Sequence, residues 1–229
     1  MKNDLTICCF SWGGWCQAKG EMYVNRLYRG VQRFLKKPFR FVCFTDDENM
    51  RVEEEVELLP MDVPFWRWNL RKQLLYKPDN GLTGRVVCLD LDVVITGSLS
   101  ELVMYDGPFI TCEAAYHKDR VGGSMIGFEA GTLVEELWSP LISNPTMYER
   151  ETNGMERRYL EMRFDSLGFK PDFWQHKYPG QVLSYKLDCQ EGLPDNARVV
   201  RFHGIPRPHD VEKMIDTSQK DIWMKEFWK

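Results

Sequence analysis

Asp90 and Asp92 are the residues of this chain best suited to chemistry, set two apart in Arg85-Val86-Val87-Cys88-Leu89-Asp90-Leu91-Asp92-Val93-Val94-Ile95. A carboxylate leaves water at a large cost unless a cation meets it. Hard divalent cations meet carboxylate oxygens readily and complete their shell with substrate phosphates. The pattern therefore points to a metal-bound, phosphate-bearing ligand. The simpler alternative is that the two aspartates open a solvated turn. Val93, Val94 and Ile95 leave little room for one, and the run reads as a buried strand that delivers the two carboxylates at its end.

A second group stands near the other end, in Phe202-His203-Gly204-Ile205-Pro206-Arg207-Pro208. Two prolines stiffen this loop. It offers a possible metal ligand in His203, a free backbone N–H at Gly204 and a phosphate-pairing guanidinium in Arg207. Neighbouring His209 can be a loop contact or part of the site. His117 and His176 stand in polar stretches and read as surface residues.

The elements that position these groups follow from periodicity. Residues 5–12 read as a strand, Gly13-Gly14 as a turn, 21–36 as a helix and 39–45 as a second strand ending at Thr45-Asp46-Asp47. Strand, helix, strand predicts a parallel pair with a crossover. Ligands on such sheets bind beyond the carboxyl ends of the strands, which brings Ser11, Trp12, Asp46 and Asp47 beside Asp92. Residues 68–76 read as a helix stopped by Pro78 and an Asp79-Asn80-Gly81 turn. A short helix at 99–105, capped by Ser98 or Ser100, follows. Residues 122–128 read as a strand entered through glycines that permit a ligand close to the backbone. Helical patterns at 131–142 and 154–167 precede strands at 181–186 and 197–202. The expected fold class is α/β, a mixed and mainly parallel central sheet flanked by helices.

Composition narrows the function classes. A 229-residue chain with 43% hydrophobic residues can bury a full core, and residues 1–229 read as one domain. Cys8, Cys9, Cys16, Cys43, Cys88, Cys112 and Cys189 form an odd set without a Cys-x-x-Cys, which argues for reduced thiols in a cytoplasmic protein. A net charge of -4 gives no reason to expect a nucleic-acid partner. The apolar run after Met1-Lys2-Asn3-Asp4 is shorter than a signal peptide needs, and no segment approaches the roughly 20 apolar residues of a membrane span.

Thr45-Asp46-Asp47 after a strand, Leu89-Asp90-Leu91-Asp92, and Phe202 with the loop after it together resemble the GT-A nucleotide-sugar glycosyltransferases. The nearer likeness is to a group of bacterial sequences assigned as glycosyltransferases. These share Trp12-Gly13, the Tyr-Val-Asn-Arg-Leu-Tyr helix beginning at Tyr23, Phe39-Arg40-Phe41-Val42-Cys43-Phe44-Thr45-Asp46-Asp47 and the late Phe-His-Gly-x-Pro-x-Pro. The glycogenin-like and lipopolysaccharide galactosyltransferase family is a more distant likeness. The resemblance spans nearly the whole chain.

The resemblance implies a GT-A fold and a hexosyltransferase-like activity. It implies a nucleotide-sugar donor, UDP-linked in the first instance, and a saccharide or lipid-linked saccharide acceptor. It implies Mn²⁺ or Mg²⁺ held by Asp92 and Asp90, with Asp90 alternatively on the donor ribose. In the glycogenin-like register Gly204 and Pro208 match, Arg207 replaces a phosphate-binding Lys, and Arg201 stands where the third metal ligand, a His, belongs. His203 comes two places later. Lys72 matches a cation placed near the carboxylates or diphosphate, against the alternative of an exposed helix lysine. Ser124 matches a donor-sugar contact whose neighbouring Asn is here Gly122 or Gly123. Glu156, in Glu156-Arg157, matches an acidic residue facing donor sugar or acceptor, against a solvated helix carboxylate.

Trp12 and Trp15 can stack on a uracil base or pack on the rim. The aromatic Ile222-Trp223-Met224-Lys225-Glu226-Phe227-Trp228-Lys229 can touch a membrane surface, but packing back on the domain is the better reading. Two rival functions share the motif: a haloacid-dehalogenase-type phosphatase, which also carries Asp-x-Asp after a strand, and a nucleotide-sugar-binding protein without turnover.

Overall fold

The structure, a computed structural model, describes residues 5–13, 19–63, 67–215 and 219–229. Gly14, Trp15 and Cys16 lie outside the described residues. The strands are β1 (Leu5–Ser11), β2 (Arg40–Thr45), β3 (Val56–Pro60), β4 (Arg85–Leu89), β5 (Val93–Ile95), β6 (Phe109–Ala114), β7 (His117–Glu129), β8 (Asp172–Phe173), β9 (Val182–Ser184) and β10 (Val199–Arg201).

Seven of these form the central sheet in the order β3-β2-β1-β4-β7-β6-β8. The β1/β2, β2/β3, β1/β4 and β6/β8 pairs are parallel, and β7 runs antiparallel to both β4 and β6. The sheet is therefore mixed and mainly parallel, as the sequence predicts. β5, β10 and β9 make a second, three-stranded sheet.

The expected strand ends at Leu89 with the two carboxylates just past it, and the apolar residues after them form a separate strand in the second sheet. The chain turns at Asp90-Leu91-Asp92, where Val93 N–H donates to the Asp90 carbonyl at 3.2 Å. The turn exists after all, but it is buried: Leu91 is 2% and Asp92 6% exposed. Apolar residues continue past the aspartates because they belong to the next sheet, not to the same strand.

β1 is buried along its whole length, as a strand covered on both faces must be. Its alternation separates two cores: Leu5, Ile7 and Cys9 face one, and Cys8 and Phe10 the other. Helix Gly20–Phe34 covers the first core with Tyr23, Val24, Leu27, Tyr28 and Val31, an apolar stripe at helical spacing. Leu35 takes an extended conformation and ends it, ahead of Pro38. The second core lies under segment Trp68–Tyr76 and helix Glu156–Leu167. The first of these is a 3₁₀ helix. The Asn80 amide closes it by donating to the Leu74 and Leu75 carbonyls at 2.8 Å each, and Asp79 and Gly81 take left-handed conformations as the turn requires.

Other expectations shift. The 131–142 helix is a π turn at Val134–Trp138 running into an α-helix at Ser139–Ser143, and helix Pro145–Thr152 follows, its Asn144 cap accepting from Met147 N–H. The 99–105 helix is one 3₁₀ turn at Leu102–Met104 without a side-chain cap; Ser98 Oγ instead accepts from Ser100 N–H at 3.3 Å. The C-terminal aromatic segment packs inward. Trp223, Met224 and Trp228 are buried, Trp228 meets Tyr23 edge-on at 5.0 Å, and Phe227 lies 5.8 Å from Phe34. Among the described residues no helix is long and apolar enough to cross a membrane. The six described cysteines are free and buried.

Candidate active site

The Asp90-Leu91-Asp92 turn sits where the two sheets meet, and a cleft of about 250 Å³ opens over it. Phe10 and Trp12 close one side, Gly122 and Ser124 of β7 another, and Phe202, His203, Gly204 and Arg207 the third. Backbone bonds lock the walls to the floor. Asp90 N–H donates to the Ser124 carbonyl at 2.9 Å, and Phe202 N–H to the Asp92 carbonyl at 3.0 Å.

Beneath the cleft lies a buried charge cluster. Lys72 is 2% and Glu156 3% exposed, so neither is the solvated helix residue that its sequence alternative described. The Lys72 ammonium reaches Glu156 Oε2 at 2.8 Å, Asp90 Oδ1 at 2.9 Å and the Gly123 carbonyl at 2.9 Å. All three donors of the ammonium are thus engaged. Burial pushes the Lys72 pKa down, but Asp90 and Glu156 outweigh it and hold the ammonium well above its ordinary value. Burial pushes Glu156 up to about 7 against the pull of Lys72. Its Oε1 is buried without a protein partner.

Asp92 answers to a different cation. Its Oδ2 pairs with Arg207 Nη1 at 3.0 Å. Burial first, then repulsion from Asp90, push Asp92 up to about 7, with Arg207 opposing. Arg207 is itself fixed by its backbone N–H, which donates to Asp210 Oδ2 at 3.0 Å at the start of helix Pro208–Met214.

His203 Nε2 shares a 2.8 Å hydrogen bond with Ser184 Oγ, at the end of β9. Burial, then Lys186 and Arg201, push its pKa down, so the ring is neutral at neutral pH. Arg201 is buried and donates to the Glu113 carbonyl. Among the described residues, the ligand atoms of Asp90, Asp92 and His203 do not all fall within 4.8 Å of one another. Glu113, Asp119 and His176 do, but none of them lines the cleft. His176 pairs with Glu113 at 3.1 Å on the surface.

A divalent cation fits this chemistry in part. Two carboxylates two residues apart face a cleft, one of them reluctant to ionise beside the other. Mg²⁺ in particular is commonly held by one or two carboxylates, with phosphate oxygens and water completing the shell. His203 meets Ser184 through Nε2 alone, and the Arg201 guanidinium has no lone pair to offer a cation.

The glycines have a different origin from the one expected. A Cβ on Gly122 would sit 2.5 Å from the Glu113 carbonyl, and one on Gly123 would sit 2.9 Å from Glu156 Oε2, where φ is +75°. The protein's own backbone and the buried carboxylate require glycine there.

The remaining expected binding residues divide. Trp12, Asp90, Ser124, Gly204 and Arg207 line the cleft. Asp46 and Asp47 line a separate, shallower depression of about 670 Å³ at the ends of β2 and β3. Asp46 also accepts from Gly13 N–H at 3.0 and 3.1 Å, next to Trp12. Ser11 is buried and lines neither. His209 bonds Tyr23 and Asp210 outside the cleft. Asn69 lines the cleft unforeseen; its only signal was its place three residues before Lys72.

Solved structures similar to this one include glycosyltransferase GlyE of Streptococcus pneumoniae TIGR4, with a TM-score of 0.65 at 12% identity over 98% of this chain. Its apo form gives a TM-score of 0.61 at 12% identity over 97% of this chain. Galactosyltransferase LgtC in complex with donor and acceptor sugar analogs gives 0.58 at 11% identity, over 89% of this chain and 88% of that one. The chain has the GT-A fold. It spans 63% of the GlyE chain. No family model and no curated protein matches the sequence.

Proposed function

We propose that this chain is a metal-dependent glycosyltransferase that moves a sugar from a nucleotide-sugar donor, first of all a UDP-sugar, to a saccharide, lipid-linked saccharide or other hydroxyl acceptor. The observation that carries this is the buried Asp90-Leu91-Asp92 turn at the junction of two sheets in a GT-A fold, with Arg207 across the cleft. The similar galactosyltransferase holds donor and acceptor sugar analogs, which favours the same two-substrate chemistry here.

On this reading Asp90 and Asp92 hold Mn²⁺ or Mg²⁺, which stabilises the charge gathering on the departing nucleoside diphosphate. Arg207, now paired with Asp92, is the guanidinium that would meet diphosphate oxygens in the cleft. Lys72 aims Asp90 from below, and Glu156 holds Lys72 in place while Gly123 lets the carboxylate approach. The Gly204 N–H and Ser124 border the path of the diphosphate and the donor sugar. The cleft is below the roughly 300–1,000 Å³ of a typical ligand pocket. The base therefore extends past Trp12 toward Asp46 and Asp47. The six buried thiols suit a reducing, cytoplasmic compartment.

Binding without turnover is the second reading, favoured by the buried Arg201 guanidinium in place of a third metal ligand. Calorimetric titration of UDP with and without Mn²⁺, into wild type and Asp92→Ala, tests the first step. Metal-dependent binding that Asp92→Ala abolishes is expected. Unchanged UDP affinity in that variant would sink the metal assignment. Silence toward UDP, GDP, CDP and dTDP alike, with phosphate released from phosphate esters, would transfer support to the phosphatase. Donor binding without hydrolysis or transfer to any acceptor would support the second reading.

A further inference from the structure

The lip of the cleft carries exposed apolar side chains that the fold does not use. Ile205, two residues after His203, is 79% exposed, and Tyr116, in the turn between β6 and β7, is 64% exposed. Nearly a hundred residues separate them in sequence, yet His203 joins them. The Tyr116 ring stands perpendicular to the His203 ring with centroids 5.3 Å apart, and His203 lines the cleft.

This contact is braced from behind. Ser184 holds the His203 ring through Nε2, and Arg201 donates to the Glu113 carbonyl at the base of the hairpin that carries Tyr116. Asp119 N–H donates to Glu113 Oε1 at 2.9 Å across the same hairpin. The ring is therefore supported by one perpendicular contact while most of its surface meets water. An aromatic face fixed in this way is costly to leave wet, and it is the surface on which the C–H side of a pyranose packs.

We propose that Tyr116 forms the acceptor platform: a sugar ring of a saccharide acceptor lies against the Tyr116 ring and presents a hydroxyl to the cleft. The assignment rests on the glycosyltransferase reading. Continuity with the donor cleft through His203 selects the occupant, because an acceptor must reach the same centre as the donor. The phenol hydroxyl is not needed for packing, so Tyr116→Phe keeps the platform and Tyr116→Ala removes it. The residue's exposure makes both substitutions compatible with folding.

Saturation-transfer difference NMR with UDP, Mg²⁺ and a panel of methyl glucoside, methyl galactoside, methyl N-acetylglucosaminide and lactose tests this on the full chain. The UDP signals report the donor site and the fold in every sample. In wild type, ring C–H protons of at least one glycoside are expected to saturate. In Tyr116→Ala that signal should fall about tenfold, the worth of a buried aromatic contact, with UDP signals unchanged; Tyr116→Phe should retain both. A glycoside signal undiminished in Tyr116→Ala overturns the proposal. So does saturation of UDP with none of the glycosides. If wild type saturates none of UDP, GDP, CDP and dTDP, the donor reading falls, and the platform with it.

Discussion

The two aspartates of one turn are held in opposite ways. Asp90 is bound from below by Lys72, a fully enclosed ammonium that also serves Glu156 and a backbone carbonyl. Asp92 is bound from the side by Arg207, part-exposed on a loop from the far end of the chain. The first arrangement is structural: its charges were desolvated once, at folding, and removing any member strands the others. The second is exchangeable, since a part-exposed guanidinium can leave one anion for another at small cost. One turn thus offers a fixed carboxylate and a released one.

Lys72→Met should break this comparison most severely. It leaves Asp90 and Glu156 without their cation, and a loss of about 3–5 kcal/mol in chemical denaturation is expected. A loss below about 1 kcal/mol would show that the cluster behaves as a surface pair. Arg207→Ala should act on the ligand instead. UDP affinity measured by calorimetry should weaken by about 1.5–3 kcal/mol, the worth of a charged hydrogen bond, with a much smaller change in stability. If stability falls and affinity does not, the two cations have been assigned the wrong way round.

Gly123→Ala sharpens the buried side. The left-handed backbone alone costs about 1–2 kcal/mol, and the new Cβ crowds the Glu156 carboxylate, so both Tm and UDP binding should drop. Asp210→Ala has the smallest expected effect. Losing the carboxylate that accepts from Arg207 N–H should cost about 1 kcal/mol of cap energy and loosen the loop without changing metal dependence. A Tm unchanged in Asp210→Ala would mean that the loop is held without this cap.

The sheet was readable because β1, β2 and β4 are continuous apolar runs bounded by turn residues, the pattern of strands covered on both faces. β3 and β8 were hidden: the first is an acidic, half-exposed edge strand, and the second has two residues. The run 85–95 misled because hydrophobicity reports burial and not pairing partners. Both sheets bury their strands, so nothing in Val93-Val94-Ile95 announces that β5 pairs with β10. At the site, Asp90, Asp92 and Arg207 were legible from residue type and loop chemistry. The burial of Lys72 was not, since its partner Glu156 lies 84 positions away and no local pattern links them. Ser184, the partner of His203 Nε2, was equally out of reach.

The junction at which the turn sits also sets an order of assembly. β5 leaves the Asp90-Leu91-Asp92 turn and finds its antiparallel partner only in β10, with Val93 opposite Arg201. A chain emerging from the ribosome therefore carries its two aspartates long before the strand that walls them in. Such distant pairings close slowly because the loop entropy comes before the contact. The central sheet can form early; binding competence arrives when β10 docks beside β5.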